Sequence, residues 1–290
     1  MPSFIQHIGS TQRPLLWLDD AQYCAALLAG GHAPWLDATA FVAWRRKSHS
    51  LLKADVVTLP VAPVCAAWLD GEPSLRAAMA GRSRVNFPLK TLLASAPLRQ
   101  HLAALLSGLR SSFPALPLAL VCPSPRAWVA TAYQWAFGLG GPVEVGEDEV
   151  DAATVCCADF LREFAALGID NLLLEESLHH EPQDAGELEW YRAVFNVAGH
   201  YRWDMGLLLP GARFTGDLGT AAARTDTPGI AFVFAPGPVA APCVGRILDA
   251  DFWHGAAPES LPEAPFHFAQ IPLGVPPELV LDRLALWRAA

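Results

Sequence analysis

The stretch "ALGIDNLLLEES", residues 166–177, decides the fold. Upstream of it, "EVDAATVCCADFLREFAAL" carries Val155, Phe160, Leu161, Phe164 and Leu167 at helical spacing. This predicts a helix with Asp151 as its N-cap and Gly168 as its left-handed stop. After the short link Ile169–Asp170 comes "NLLLEE", apolar on both faces until it ends in Glu175 and Glu176. A helix, a tight turn and a strand buried on both sides make the α-to-β half of a βαβ unit, since only a parallel sheet covered by helices buries both faces of a strand.

The same pattern recurs along the chain. Strands are expected at 15–18, 55–61, 118–122, 172–176, 195–200, 229–235, 245–249 and 266–271. Amphipathic helices are expected between them, notably at 98–110, 125–137 and 276–288. Eight short strands alternating with helices over 290 residues predict an α/β fold, a single (β/α)₈ TIM-type barrel. One barrel domain then spans 1–290, with the first ~14 residues able to stand as an N-terminal extension. No GxGxxG or GxxxxGK[ST] loop follows a strand, which disfavours a nucleotide-binding open sheet. In a barrel, ligands bind where strands end, so the site candidates are Pro60 and Pro63, Cys122 to Pro125, Glu175 and Glu176, His200 to Arg202, Pro236, and Gln270 onward.

Composition agrees with a buried sheet: 52% of residues are hydrophobic and 17% charged, against about 25% charged in an average soluble protein. The net charge of −9 and the lack of a basic stripe argue against nucleic acid or an anionic membrane surface as partner. No apolar run is long enough to span a bilayer, and the start "MPSFIQHIGSTQRP" does not read as a secretory signal. Six scattered cysteines without CxxC pairs fit reduced thiols, hence a cytoplasmic setting.

Four segments together resemble the superfamily of uroporphyrinogen decarboxylase and cobalamin-independent methionine synthase. "LALVCPSP" (118–125) resembles the strand leading to its "GP" turn. "FLREFAALGIDNLLLEES" (160–177) resembles its helix and acid-ended strand, and "VFNVAGHYRWDMGLLLPG" (194–211) the strand bearing the histidine of the zinc-dependent members. "IPLGVPPELVLDRL" (271–284) resembles the closing turn and helix of the decarboxylase branch. The similarity covers roughly residues 118–285 in order. There are two departures. Zinc members carry an HxC pair, and here "HYR" puts Arg202 where the second ligand belongs. The arginine-bearing N-terminal segment of the tetrapyrrole decarboxylase is matched only poorly by "AWRRKSHS" (43–50).

The resemblance implies three functions. The leading one is decarboxylation or related proton transfer, without a cofactor, on a small anionic (carboxylated) substrate. His200 and Glu176, with Glu175, would handle protons. Arg202, with Arg45 and Arg46, would grip carboxylate, while Tyr201 and Trp203 line the pocket. The second is a zinc-dependent methyltransferase acting on a thiol, with His200, Glu176 and Cys243 as ligands. The third is a non-catalytic ligand-binding or assembly homologue, with a homodimer left open. Adjacent strand residues point oppositely, so only one of Glu175 and Glu176 can face the mouth; Glu176 is preferred for its match to the family's acidic position. A blander alternative has these acids merely capping the next helix. The histidines His179, His180, His254 and His267 lack chelating spacing, and Arg82 and Arg84 in "GRSR" offer a second anion-binding patch.

Overall fold

A computed structural model describes residues 4–11, 13–211, 214, 217–218, 229–254 and 262–289. Eight parallel strands follow one another around a (β/α)₈ barrel in the order β1-β8-β7-β6-β5-β4-β3-β2. They are β1 (Leu15–Asp19), β2 (Val57–Pro60), β3 (Leu118–Pro123), β4 (Asn171–Glu175), β5 (Asp204–Leu208), β6 (Phe232–Ala235), β7 (Val244–Leu248) and β8 (Phe266–Gln270). The remaining seam, β1 to β2, is closed by Asp55. Its backbone N–H donates to the Leu16 carbonyl (3.1 Å) and its carboxylate accepts the Leu16 N–H (2.7 Å). Arg13 grips the same carboxylate through both guanidinium nitrogens, at 2.9 and 2.7 Å.

Alternation along each strand builds two cores. Leu16, Leu18, Leu120, Leu172, Leu174 and Leu207 face the helices. Inside the barrel, Trp17, Leu173, Phe232, Phe234, Phe266 and Phe268 fill the lumen. Two glycines make room for these rings. A Cβ on Gly206 would lie 2.3 Å from the Phe232 ring, and one on Gly245 would lie 2.2 Å from the Phe266 ring. The N-terminal segment closes the floor. Helix α1 (Phe4–Ser10) drops Phe4 against Trp17, Phe232 and Phe266, while Asn171 and Asp204 accept the N–H groups of Phe4 and Ile5.

The helical layer includes α2 (Ala21–Leu28), α3 (Ala38–Leu52), α4 (Val61–Gly71), α5 (Pro73–Met79), α6 (Phe87–Leu93), α7 (Ala96–Ser112), α8 (Pro125–Phe137), α9 (Glu147–Arg162) and α10 (Arg192–His200). A closing helix, Pro277–Ala289, follows β8. Helix α9 starts earlier than Asp151. Gly146 is its N-cap, with its N–H donated to the Glu149 carboxylate at 3.1 Å. The helix also ends earlier than expected, at Arg162; turns carry the chain on to Gly168, which does not stop α9 but does adopt the expected left-handed conformation (φ 71°) beneath the Arg110 side chain. No helix among the described residues is long and apolar enough to cross a membrane.

One strand assignment is corrected. Residues 195–200 are not a strand but the end of α10, whose buried Val194, Val197 and Ala198 recur at helical spacing. Strand β5 begins only at Asp204. Between them the chain makes a Schellman stop: Arg202 N–H bonds the Gly199 carbonyl and Trp203 N–H the Ala198 carbonyl. Arg202 itself takes the left-handed position (φ 59°) that glycine usually fills.

Candidate functional site

In a barrel the helix that precedes a strand ends beside that strand's start, so the C-terminus of α10 lies at the floor. His200, Tyr201, Arg202 and Trp203 therefore sit at the N-terminal face, opposite the mouth. His200 and Arg202 are exposed; Trp203 is buried and stacks with Tyr201 at 5.5 Å. The expected roles of these four in a mouth do not fit this placement. The physical cause is the helix-for-strand exchange. Cys243 also lies at the floor, one residue before β7, while Glu176 lies just past the end of β4. A five-residue strand rises about 15 Å, so His200, Glu176 and Cys243 do not gather around one zinc ion. Among the described residues no group of three or more His, Cys, Asp or Glu side chains could hold a metal. His180 uses both ring nitrogens, on Ser177 and the Val143 carbonyl, and His267 likewise meets the Pro262 carbonyl and Trp287.

The mouth is built from a feature that occurs twice. With the residue that follows each strand, β1 reads "LLWLDD" and β4 reads "NLLLEE"; each ends in adjacent acids. In both, the first acid continues the inward series and the second turns into the helical layer. Leu15, Trp17 and Asp19 alternate inward on β1, as do Asn171, Leu173 and Glu175 on β4. Thus Glu175, not Glu176, faces the mouth. From β8, Gln270 pairs in register with Asp19 and donates its Nε2 hydrogen to Asp19 Oδ2 at 2.9 Å.

The outward acids are bonded in place. Asp20 forms a buried ion pair with Arg45 at 2.7 Å. Glu176 accepts from Ser124 Oγ (2.6 Å) and from the Tyr191 hydroxyl (2.8 Å). Ser124 also caps α8 through Ala127 N–H, and its own N–H donates to the Glu175 carbonyl at 2.9 Å. Tyr191 ends a 3-10 turn, Glu187–Tyr191, that is clamped by the Arg126–Glu187 ion pair (2.8 Å) and by Arg126 over the Trp190 ring. Glu176 therefore holds this turn onto the rim and fixes the strand end that carries Glu175.

Electrostatics separate these acids from ordinary carboxylates. Burial, reinforced by the charge of Asp19, pushes Glu175 up to about 8. Asp19 is raised by burial and by the neighbouring Asp20, against the pull of its Gln270 hydrogen bond. Burial pushes Glu176 up to about 7, although Ser124, Tyr191 and Arg126 favour its charged form. At neutral pH the mouth thus contains a carboxyl that keeps its proton.

The arginines expected to grip an anion are not in this mouth. Arg45 is buried and committed to Asp20, Arg46 lies on the exposed side of α3, and Arg202 is at the floor. Gln270 is among the strand-end candidates expected from sequence, and the structure places it in the mouth on Asp19; Asp19 itself was not singled out. The repetition of an apolar strand ending in adjacent acids was the signal that could have found Asp19.

No family model matches the chain, and no curated protein matches it. Among solved structures there is a likeness to the carboxyl transferase domain of Rhizobium etli pyruvate carboxylase with oxalate. It is 12% identical and covers 97% of this chain and 47% of that one, with a TM-score of 0.42. The chain thus spans about half the length of that structure. The barrel assignment rests on the strand order itself.

Proposed function

We propose that the chain is a barrel enzyme whose own side chains carry out proton transfer at the mouth, with Glu175 as the proton carrier and Asp19 as its charged neighbour. The single observation behind this is the inward acid at the end of two strands, with Glu175 raised to about 8 beside Asp19. A carboxyl still protonated at neutral pH can give its proton to a carbanion, as a decarboxylation requires, or to a leaving group. It then serves as base in the return step. Such a group contributes roughly 10²–10⁴-fold to rate. Ser124 and Glu176 position it through the bonded strand end.

Among the described residues the polar groups placed at the mouth include Asp19, Glu175 and the Gln270 amide, which favours a small substrate that is neutral or cationic overall, a zwitterionic carboxylate included, over one of net negative charge. Kinship with the decarboxylase and methionine synthase superfamily rests on the sequence resemblance alone: Glu176, the match to its acidic position, is turned onto Ser124 and Tyr191, and the His200 segment does not support it. The test is a turnover screen of small neutral, cationic and carboxylated compounds, with Glu175→Gln and Asp19→Asn as counter-screens. A reaction lost in Glu175→Gln, with a wild-type rate that falls as pH rises through about 8, supports this function. A reaction that Glu175→Gln performs at the wild-type rate refutes it.

A further inference from the structure

A cleft of about 470 Å³ lies on the outer surface, away from the barrel mouth. One wall comes from the loop before α6 and from α6 itself, and carries Arg82, Arg84, Asn86 and Lys90. The other comes from α9 through Ala152, Ala153, Val155 and Cys156. Arg82, Arg84 and Lys90 are exposed, and none of them forms an ion pair with another described residue. Two acids of this face are taken, since Asp159 pairs with Arg99 at 2.7 Å and Glu163 lies 4.0 Å from the same arginine; Asp148 and Asp151 lie one turn towards the start of α9. Arg82 is steadied over the Phe87 ring, 5.2 Å from its centroid. Three unpaired cations converging on one cleft stand out in a chain of net charge −9.

From this juxtaposition we infer that the cleft binds a phosphate monoester with an apolar body. The dianionic head suits three cations better than a single carboxylate would. The alanines, Val155 and Phe87 offer the apolar surface for the rest of the molecule, and the volume is that of a small-molecule site. This site is independent of the acid-lined mouth, where a phosphate would be repelled.

Cys156 supplies a reporter within the cleft. Of the six cysteines only Cys156 and Cys243 are incompletely buried, so a Cys243→Ser background leaves Cys156 as the reactive thiol. The probe pair is the dianionic aromatic disulfide dithiobisnitrobenzoate and the uncharged dithiodipyridine. In each case the Cys156 thiolate attacks one sulfur, a mixed disulfide forms and one aromatic thiol leaves. The ratio of the two rates cancels changes in exposure or stability. We expect the dianion to be favoured in the parent, and its advantage to fall several-fold in Arg82→Gln/Arg84→Gln. Phenyl phosphate should protect Cys156 saturably, and better than benzoate. An unchanged rate ratio, absent protection by phenyl phosphate, or equal protection by benzoate would overturn the assignment.

Discussion

Replacing Glu175 by Gln should change how stability depends on pH, in a direction that its placement dictates. In the folded chain this carboxyl titrates at about 8, against 4.5 for a free one. Below pH 4.5 both folded and unfolded chains hold the proton, and burial of Glu175 is without electrostatic penalty. As pH rises towards 8 the unfolded chain releases its proton and the folded chain does not, so stability falls; above about 8 the full loss is reached. At about 1.4 kcal/mol per pH unit the gap is worth roughly 5 kcal/mol. Glu175 is only partly buried by surface area, so water at the rim screens part of this and about 2–5 kcal/mol remains. Gln carries no charge in either state, so the variant should match wild type near pH 4 and exceed it by that amount at pH 9. Urea unfolding at intervals across this range measures the difference. A wild-type-minus-variant difference that stays flat from pH 4 to 9 would refute the reasoning.

Three further substitutions test the frame and the discarded site. Asp55→Ala removes the carboxylate that receives Leu16 N–H and both Arg13 nitrogens, so it should cost about 2–4 kcal/mol in urea unfolding. Gly206→Ala places a methyl group into the Phe232 ring; we expect a loss of about 1–3 kcal/mol, read as a lower melting temperature. Arg202→Gly relieves a left-handed residue in the Schellman stop and should raise stability by about 1 kcal/mol, while leaving any turnover intact.

Seven of the eight strands could be read from the sequence because they are short, mostly apolar runs with turn signals on both sides, β7 among them despite its own Gly245 and Arg246. The exception, β5, contains Asp204 and Gly206. Gly206 is demanded by the Phe232 ring across the lumen, a tertiary requirement with no local signature. In its place residues 195–200 read as a strand because Phe195 and Val197 favour extended structure. Burial on α10 overrode that propensity. The error moved four candidate residues from the mouth to the floor.

The acid pair was half readable. Strand alternation requires Glu175 and Glu176 to face opposite ways, but "LLLEE" is apolar on both faces and carries no parity. Only the lumen, where Leu173 meets the aromatic core, sets which acid points in. The second acid-ended strand, at Asp19 and Asp20, was present in the sequence. Its meaning comes from the register that brings Gln270 beside Asp19.

The most direct measurement is a titration of the Glu175 carboxyl itself, by carbon-detected NMR on selectively labelled protein, assigned with Glu175→Gln. A midpoint near 8 that drops in Asp19→Asn is the expected result. A midpoint near 4.5, unmoved by Asp19→Asn, would contradict a proton-carrying pair at the barrel mouth.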